Sequence, residues 1–334
     1  VLGKTDEAIR LLKEIVDGTK SGWFMQRSLQ ARHEIVEILT DKFRTTGDAQ
    51  IKADIYNEIQ HLMLEDAVAQ IDDFKPYESE TAIPLYLMAK KVDSPQKAQD
   101  ILQRIFSAHV AALKDNDGSN DSKAFRLLAK TLACVPGFEL EAQISISLQY
   151  SVVDRVIFIS TILRGFEDDG HGDEGDDDEG DAGHNDEGDA ELDDEGDAEL
   201  GDKGDAEHDE RDEDVHTDCD IGCDGCSKPF PNWKSGPLYY CIIRMNTDLC
   251  EDDYQKRLAL NRGEEVPDMW QTFCGPNHRY IRGPIAGWKG VERGVIRYGE
   301  TSVPFKTWLA DVEKKWDEKW KEFWEGDEGL RDVF

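Results

Sequence analysis

Six of the seven cysteines lie between His216 and His278: Cys219, Cys223, Cys226, Cys241, Cys250 and Cys274. Cys223-Asp224-Gly225-Cys226 is a CxxC, whose tight turn lets two thiolates face one ion at zinc–sulfur distances of about 2.3 Å. Cys241 follows the aromatic pair Tyr239-Tyr240. Cys250 stands in Asp248-Leu249-Cys250-Glu251-Asp252-Asp253-Tyr254, and Cys274-Gly275-Pro276-Asn277-His278 is a C-x3-H. An odd cysteine count fits a disulfide framework poorly. Clustered thiols beside a histidine point to metal binding in a reducing compartment. The expected cofactor is zinc, one ion or two. The sequence has no nucleophile elbow, phosphate loop, dinucleotide fingerprint or HExxH pair, so nothing supplies a general base beside a metal. The reading is therefore non-enzymatic, with a zinc-dependent hydrolase as the weaker alternative.

The order of these motifs resembles the ZZ-type zinc finger. That family opens with Cys-Asp-x-Cys, continues through an aromatic strand with a cysteine pair and an Asp-Leu-Cys strand, and closes on two histidines. The resemblance implies a small cross-brace around two zinc ions. It assigns Cys223, Cys226, Cys250 and, in a cysteine position, Asp253 to the first ion. It assigns Cys241, Cys274 and His278 to the second, whose fourth position falls on Arg244, a residue that does not bind zinc; Cys219 or His216 could fill the gap, or the second ion is absent. Members of several such families hold the free N-terminus of a peptide with acidic residues. The corresponding positions here are Asp224, Asp248 and Asn246, and Asn246 brings no charge.

Three further regions surround this stretch. Residues 1–166 carry apolar residues at helical spacing, as in Ala8, Ile9, Leu11, Leu12, Ile15 and Val16, with Thr5 as a candidate cap. The helix, turn, helix pattern around Asp93-Ser94-Pro95 and Val135-Pro136-Gly137 loosely resembles a tetratricopeptide-type array, although strict periodicity is missing. His33, His61 and His109 are scattered, and Cys134 reads as a small buried hydrophobe. Residues 167–214 hold 27 acidic and two basic residues, with Gly-Asp-Ala recurring at 180, 188, 196 and 204. Like charges without apolar anchors predict a disordered linker, with capture of basic proteins as an alternative role. In the tail, Tyr280-Ile281, Pro284-Ile285 and 295–298 predict short strands. A helix over 305–324 would place Trp308, Val312, Trp316, Trp320 and Trp324 on one stripe, packed on the strands and the finger.

The fold class expected is mainly α: an irregular antiparallel helical-repeat array (1–166), a disordered acidic linker (167–214), then a small α+β zinc-binding module (215–334). Net charge of −33 argues against nucleic acid as partner, and no apolar run is long enough to span a membrane. The partner expected is a protein or peptide, the location intracellular and cytoplasmic, and the chain the C-terminal part of a longer one. In outline it resembles the C-termini of fungal multidomain proteins that carry a nucleotide-binding switch domain and helical repeats.

Overall fold

The structure, a computed structural model, describes residues 2–18, 23–64, 81–93, 95–115, 118–153, 221–230, 233, 236–244, 247–266, 274 and 278–325. The acidic run 167–214, Cys219, His216 and Asn246 lie outside them.

The described chain is mainly helical, with a small antiparallel sheet region towards the C-terminus. Seven helices come first: α1 (Leu2–Gly18), α2 (Trp23–Thr45), α3 (Ala49–Leu64), α4 (Ala82–Val92), α5 (Pro95–Lys114), α6 (Asp121–Ala133) and α7 (Glu139–Val153). Each packs against its successor. α1 starts at Leu2, ahead of Thr5, so Thr5 sits inside the helix and does not cap it. The stripes close on one core that includes Ile35, Leu39, Phe43, Ile59, Tyr86, Leu102 and Phe125. Pro84 and Pro95 fall in the first turns of α4 and α5, where a missing N–H costs nothing.

α7 is the central helix. Its sequence, Glu-Leu-Glu-Ala-Gln-Ile-Ser-Ile-Ser-Leu-Gln-Tyr-Ser-Val-Val, has no wide polar face, and residues 144–151 are all buried. Buried serines are tolerable because their hydroxyls find carbonyls. Ser147 Oγ donates to Gln143 O at 2.6 Å, and Ser145 Oγ donates across to Phe125 O of α6 at 2.7 Å. The small side chains let neighbours approach closely on two sides.

One of those neighbours is sheet. β1 (Leu238–Cys241) is the middle strand of an antiparallel trio with β2 (Asp248–Cys250) and β3 (Tyr280–Gly283). Helix α8 (Glu251–Asn261) follows β2 directly. A second trio, β4 (Trp288–Glu292), β5 (Val295–Tyr298) and β6 (Thr301–Pro304), forms an antiparallel meander, and α9 (Phe305–Glu325) closes the described chain. β3 lies on α7 so closely that a Cβ at Gly283 would stand 2.7 Å from Ile146 Cγ2. Only glycine fits there. Ser147 Oγ in turn accepts the Ile285 N–H at 2.9 Å.

Three sequence expectations need correcting. First, 1–166 and the C-terminal module were read as separate folded parts, whereas both fall in one compact unit. The reason is α7, whose second apolar side has to be covered and is covered by β3 and β4. Second, the Pro284-Ile285 strand is a turn; Ile285 gives its N–H to Ser147 and its carbonyl to Trp288 N, leaving no ladder. Third, the tryptophan stripe of α9 is expected on the strands and the finger, whereas its fully buried member, Trp316, packs on the helical block. Trp316 stacks on Phe106 of α5 at 3.9 Å between ring centroids, and Phe305 meets Phe125 of α6 edge-on. Ion pairs Lys114–Glu313 and Lys315–Glu141 flank this contact.

Candidate metal centre

The CxxC turn is built by its backbone. Cys223 N–H donates to Lys228 O and Ser227 N–H to Cys223 O, closing a tight knuckle over Asp224 and Gly225. Asp224 N–H donates to Asp248 O, which ties the knuckle to β2. Asp224 answers through its side chain, with Oδ2 accepting the Asp248 N–H at 2.6 Å. β2 then ends at Cys250, whose extended backbone starts α8. Glu251, Asp252 and Asp253 occupy its first turn, where carboxylates suit the positive helix end. One helical turn carries Asp253 back to the side of Cys250.

The outcome is that Cys223, Cys226, Cys250 and Asp253 bring one donor atom each within 4.8 Å of one another. Cys226 Sγ is 4.0 Å from Cys250 Sγ. Asp253 Oδ2 is 3.1 Å from Cys223 Sγ and 3.4 Å from Cys250 Sγ. A tetrahedron with zinc–sulfur bonds of about 2.3 Å has sulfur–sulfur edges of about 3.8 Å and sulfur–oxygen edges of about 3.6 Å. The four donor atoms are near enough to one another to hold a metal ion. Asp253 uses Oδ2 towards the sulfurs, while Oδ1 accepts from Lys256 Nζ at 2.9 Å, an outer contact that fixes the carboxylate. Gly225 is required by the same geometry, because a Cβ there would stand 2.7 Å from Asp253 Oδ2. Burial pushes the Asp253 carboxyl up, but the Lys256 hydrogen bond and those from the three thiols outweigh it and hold the group down to about 2. Burial drives the Cys223 and Cys250 thiols the other way, above the ordinary thiol value.

A second group joins Cys241, Cys274 and His278, all buried. Cys241 Sγ lies 3.3 Å from His278 Nδ1 and accepts the Arg244 backbone N–H at 3.3 Å. Burial raises the Cys241 thiol, but hydrogen bonds from Cys274 and the Arg244 backbone more than offset it, leaving Cys241 below the ordinary thiol value. Arg244 turns its guanidinium away, to Glu37 at 2.7 Å and Asp41 at 3.0 Å on α2.

Beside the first group is a cavity of about 570 Å³ between α6, α7 and the knuckle, lined among others by Asp224, Asp248, Arg126, Gln149, Tyr150 and Tyr240. Asp248 accepts the Tyr150 hydroxyl in a short hydrogen bond. Burial pushes Asp248 up to about 7; the Tyr150 bond opposes this and the Asp224 charge adds to it. Asp224 is raised as well, by burial. Gln149 Oε1 is a buried acceptor with no partner among the described residues.

Of the residues expected to bind a metal, all seven thus fall into two groups of four and three. Asp224 and Asp248 stand together on the cavity wall. Motif reading missed Lys256, Tyr150, Gln149 and Arg44, whose Nη1 reaches His278 Nε2. Lys256 carries a local signal, three residues after Asp253 on a helix. The all-round apolar character of α7 signals that Gln149 and Tyr150 must face something. No protein-family model, curated protein or solved structure matches this chain.

The carboxylate ligand makes a test. Asp253→Ala is expected to weaken zinc retention, but less than Cys250→Ala does, since water can take the place of one carboxylate oxygen and thiolate is the stronger ligand. Competition with a chromophoric chelator measures both. Equal retention in Asp253→Ala and the unaltered chain would show that Asp253 is not a ligand.

Proposed function

We propose that this chain is a non-catalytic protein-interaction region in which one zinc ion holds a ZZ-like finger against a tetratricopeptide-like helical block. The observation that carries it is the closed donor set of Cys223, Cys226, Cys250 and Asp253. A structural zinc takes all four ligands from protein, whereas a catalytic one keeps a position for water. Three thiolates and one carboxylate fill a tetrahedron and leave no such position. Thiolate-rich donors also favour zinc over magnesium or calcium, which prefer all-oxygen sets.

The recognition surface in this reading is the cavity next to the metal. Asp224, Asp248 and Gln149 Oε1, which has no partner among the described residues, make its wall rich in acceptors. The complementary group is a cationic donor, and the N-terminal ammonium of a peptide supplies three N–H bonds to such a wall. The helical block is part of this site, since Arg126, Gln149 and Tyr150 all come from it.

The experiment is a calorimetric titration of the zinc-loaded full chain with short peptides that have free or acetylated N-termini. Free termini are expected to bind, and acetylation, or Asp224→Asn together with Asp248→Asn, to weaken binding by at least about tenfold, the worth of one charge-assisted hydrogen bond. Asparagine keeps the acceptor oxygens that tie the knuckle to β2 and Tyr150. Binding that ignores acetylation would sink the peptide reading.

A further inference from the structure

The resemblance to a two-metal finger implies a second ion between Cys241, Cys274 and His278. The donors there do not fit one. His278 presents Nδ1 to Cys241 Sγ at 3.3 Å and Nε2 to Arg44 Nη1 at 2.6 Å. A guanidinium has N–H donors on every nitrogen and no acceptor, and it stays charged in proteins. Nε2 must therefore offer its lone pair to Arg44. In a neutral imidazole the proton then sits on Nδ1, the atom that faces the thiols. An ion held by this triad would need the Nδ1 lone pair and would displace the proton to Nε2. Two donors would then oppose each other at 2.6 Å.

The fourth position is committed elsewhere as well. Arg244 stands where the finger pattern has a ligand, and it does three other things. Its backbone N–H points at Cys241 Sγ. Its carbonyl accepts from Lys130 Nζ of α6 at 2.8 Å. Its guanidinium spans Glu37 and Asp41 of α2. Lys130 is fully buried and also lies over the Tyr240 ring at 5.1 Å from its centroid. Four of the groups around the triad and Arg244 thus belong to the helical block: Arg44, Glu37 and Asp41 on α2 and Lys130 on α6.

We propose that Cys241, Cys274 and His278 bind no metal ion and form a hydrogen-bonded joint, closed by Arg44, that fastens the finger to the helical block. Arg44 donates to His278 Nε2, and His278 Nδ1–H donates to Cys241. The Arg244 backbone N–H completes the shell of that sulfur. The joint takes over the cross-linking role of an ion and makes α2 a structural part of the finger.

The test uses the unaltered full chain, so no variant has to fold. The chain is saturated with zinc, freed of excess and analysed for metal, and the His278 ring nitrogens are observed by nitrogen NMR. One ion per chain is expected, with the His278 proton on Nδ1 and Nε2 unprotonated. Two ions per chain, or a His278 with its proton on Nε2 and a metal-shifted Nδ1, overturns the proposal. The proposal does not depend on the first site. A chain with no ion and the proton on Nδ1 supports the joint and sinks the zinc reading of Cys223, Cys226, Cys250 and Asp253 instead.

Discussion

Cys250→Ser in the full chain is expected to abolish zinc retention and to remove hydrogen-exchange protection from 221–230 and 248–261. The size of the effect follows from the binding energy. A structural zinc in a small finger contributes on the order of 10 kcal/mol, and all of it is folding energy because the unfolded chain has no site. That is comparable to the whole stability of an ordinary domain, about 5–15 kcal/mol. Apart from β1, which pairs with β3 and whose Leu238, Tyr240 and Cys241 belong to the main core, the region around the ion has little else to hold it. Its private core is Cys223, Tyr239 and Leu249, with Tyr254 stacked on Tyr239 at 3.8 Å between ring centroids. The damage should stop where other contacts take over. α9 is held to α5 and α6 through Trp316 and Phe305, β4 packs on α7, and none of β4, β5, β6 or α9 supplies a donor to the group. Their protection should survive in Cys250→Ser and in chelated wild type alike. If chelation leaves protection over 221–230 and 248–261 unchanged, the ion is not what folds these segments.

The gathering of Cys223, Cys226, Cys250 and Asp253 was legible in the sequence because each half is local. A CxxC makes its own turn, and Cys250 and Asp253 are one helical turn apart. Only the meeting of two short motifs had to be inferred, and the resemblance to a known finger supplied that. α9 was legible for a similar reason: Pro304 sets its start, and a stripe of tryptophans at every fourth residue sets its face. What covers that face was not legible. Periodicity says which side of a helix is apolar and is silent on its partner, so the stripe points to the nearest strands, whereas Trp316 packs on Phe106 of α5 and on Phe138. Arg44 shows the limit most clearly. It reaches His278 across 234 positions, and no local pattern distinguishes it from the other basic residues of α2. The joint between block and finger is a property of tertiary packing. The one sequence trace of it is α7, which is too apolar on all sides for a helix at the surface.

Trp316→Ala is expected to be the most damaging single substitution outside the metal site, at about 3–5 kcal/mol, the usual cost of truncating a fully buried large aromatic. Trp316 is fully buried. Its ring lies flat on Phe106, with 2° between the planes, and it also meets Phe138 and Trp320. Its Nε1–H donates to Gln103 Oε1 at 2.8 Å, so the indole's one polar atom is satisfied. Removal would leave a void between α5, the Phe138 turn and α9, together with an orphaned amide oxygen. Nearer its C-terminal end α9 buries the smaller Phe323, with Lys90 of α4 over its ring, while Trp320 and Trp324 are only partly buried. At roughly 2–4 °C per kcal/mol in a domain of this order of size, the thermal midpoint should fall by roughly 6–20 °C. Trp320→Ala, which removes the same atoms from a half-exposed position, serves as the control and should cost clearly less. Zinc content should be unchanged in both, because neither ring approaches the cysteines. A Trp316→Ala midpoint no lower than that of Trp320→Ala would mean that α9 is not fastened to the helical block through Trp316, and with it would go the account of how the C-terminal strands are held when the metal is removed.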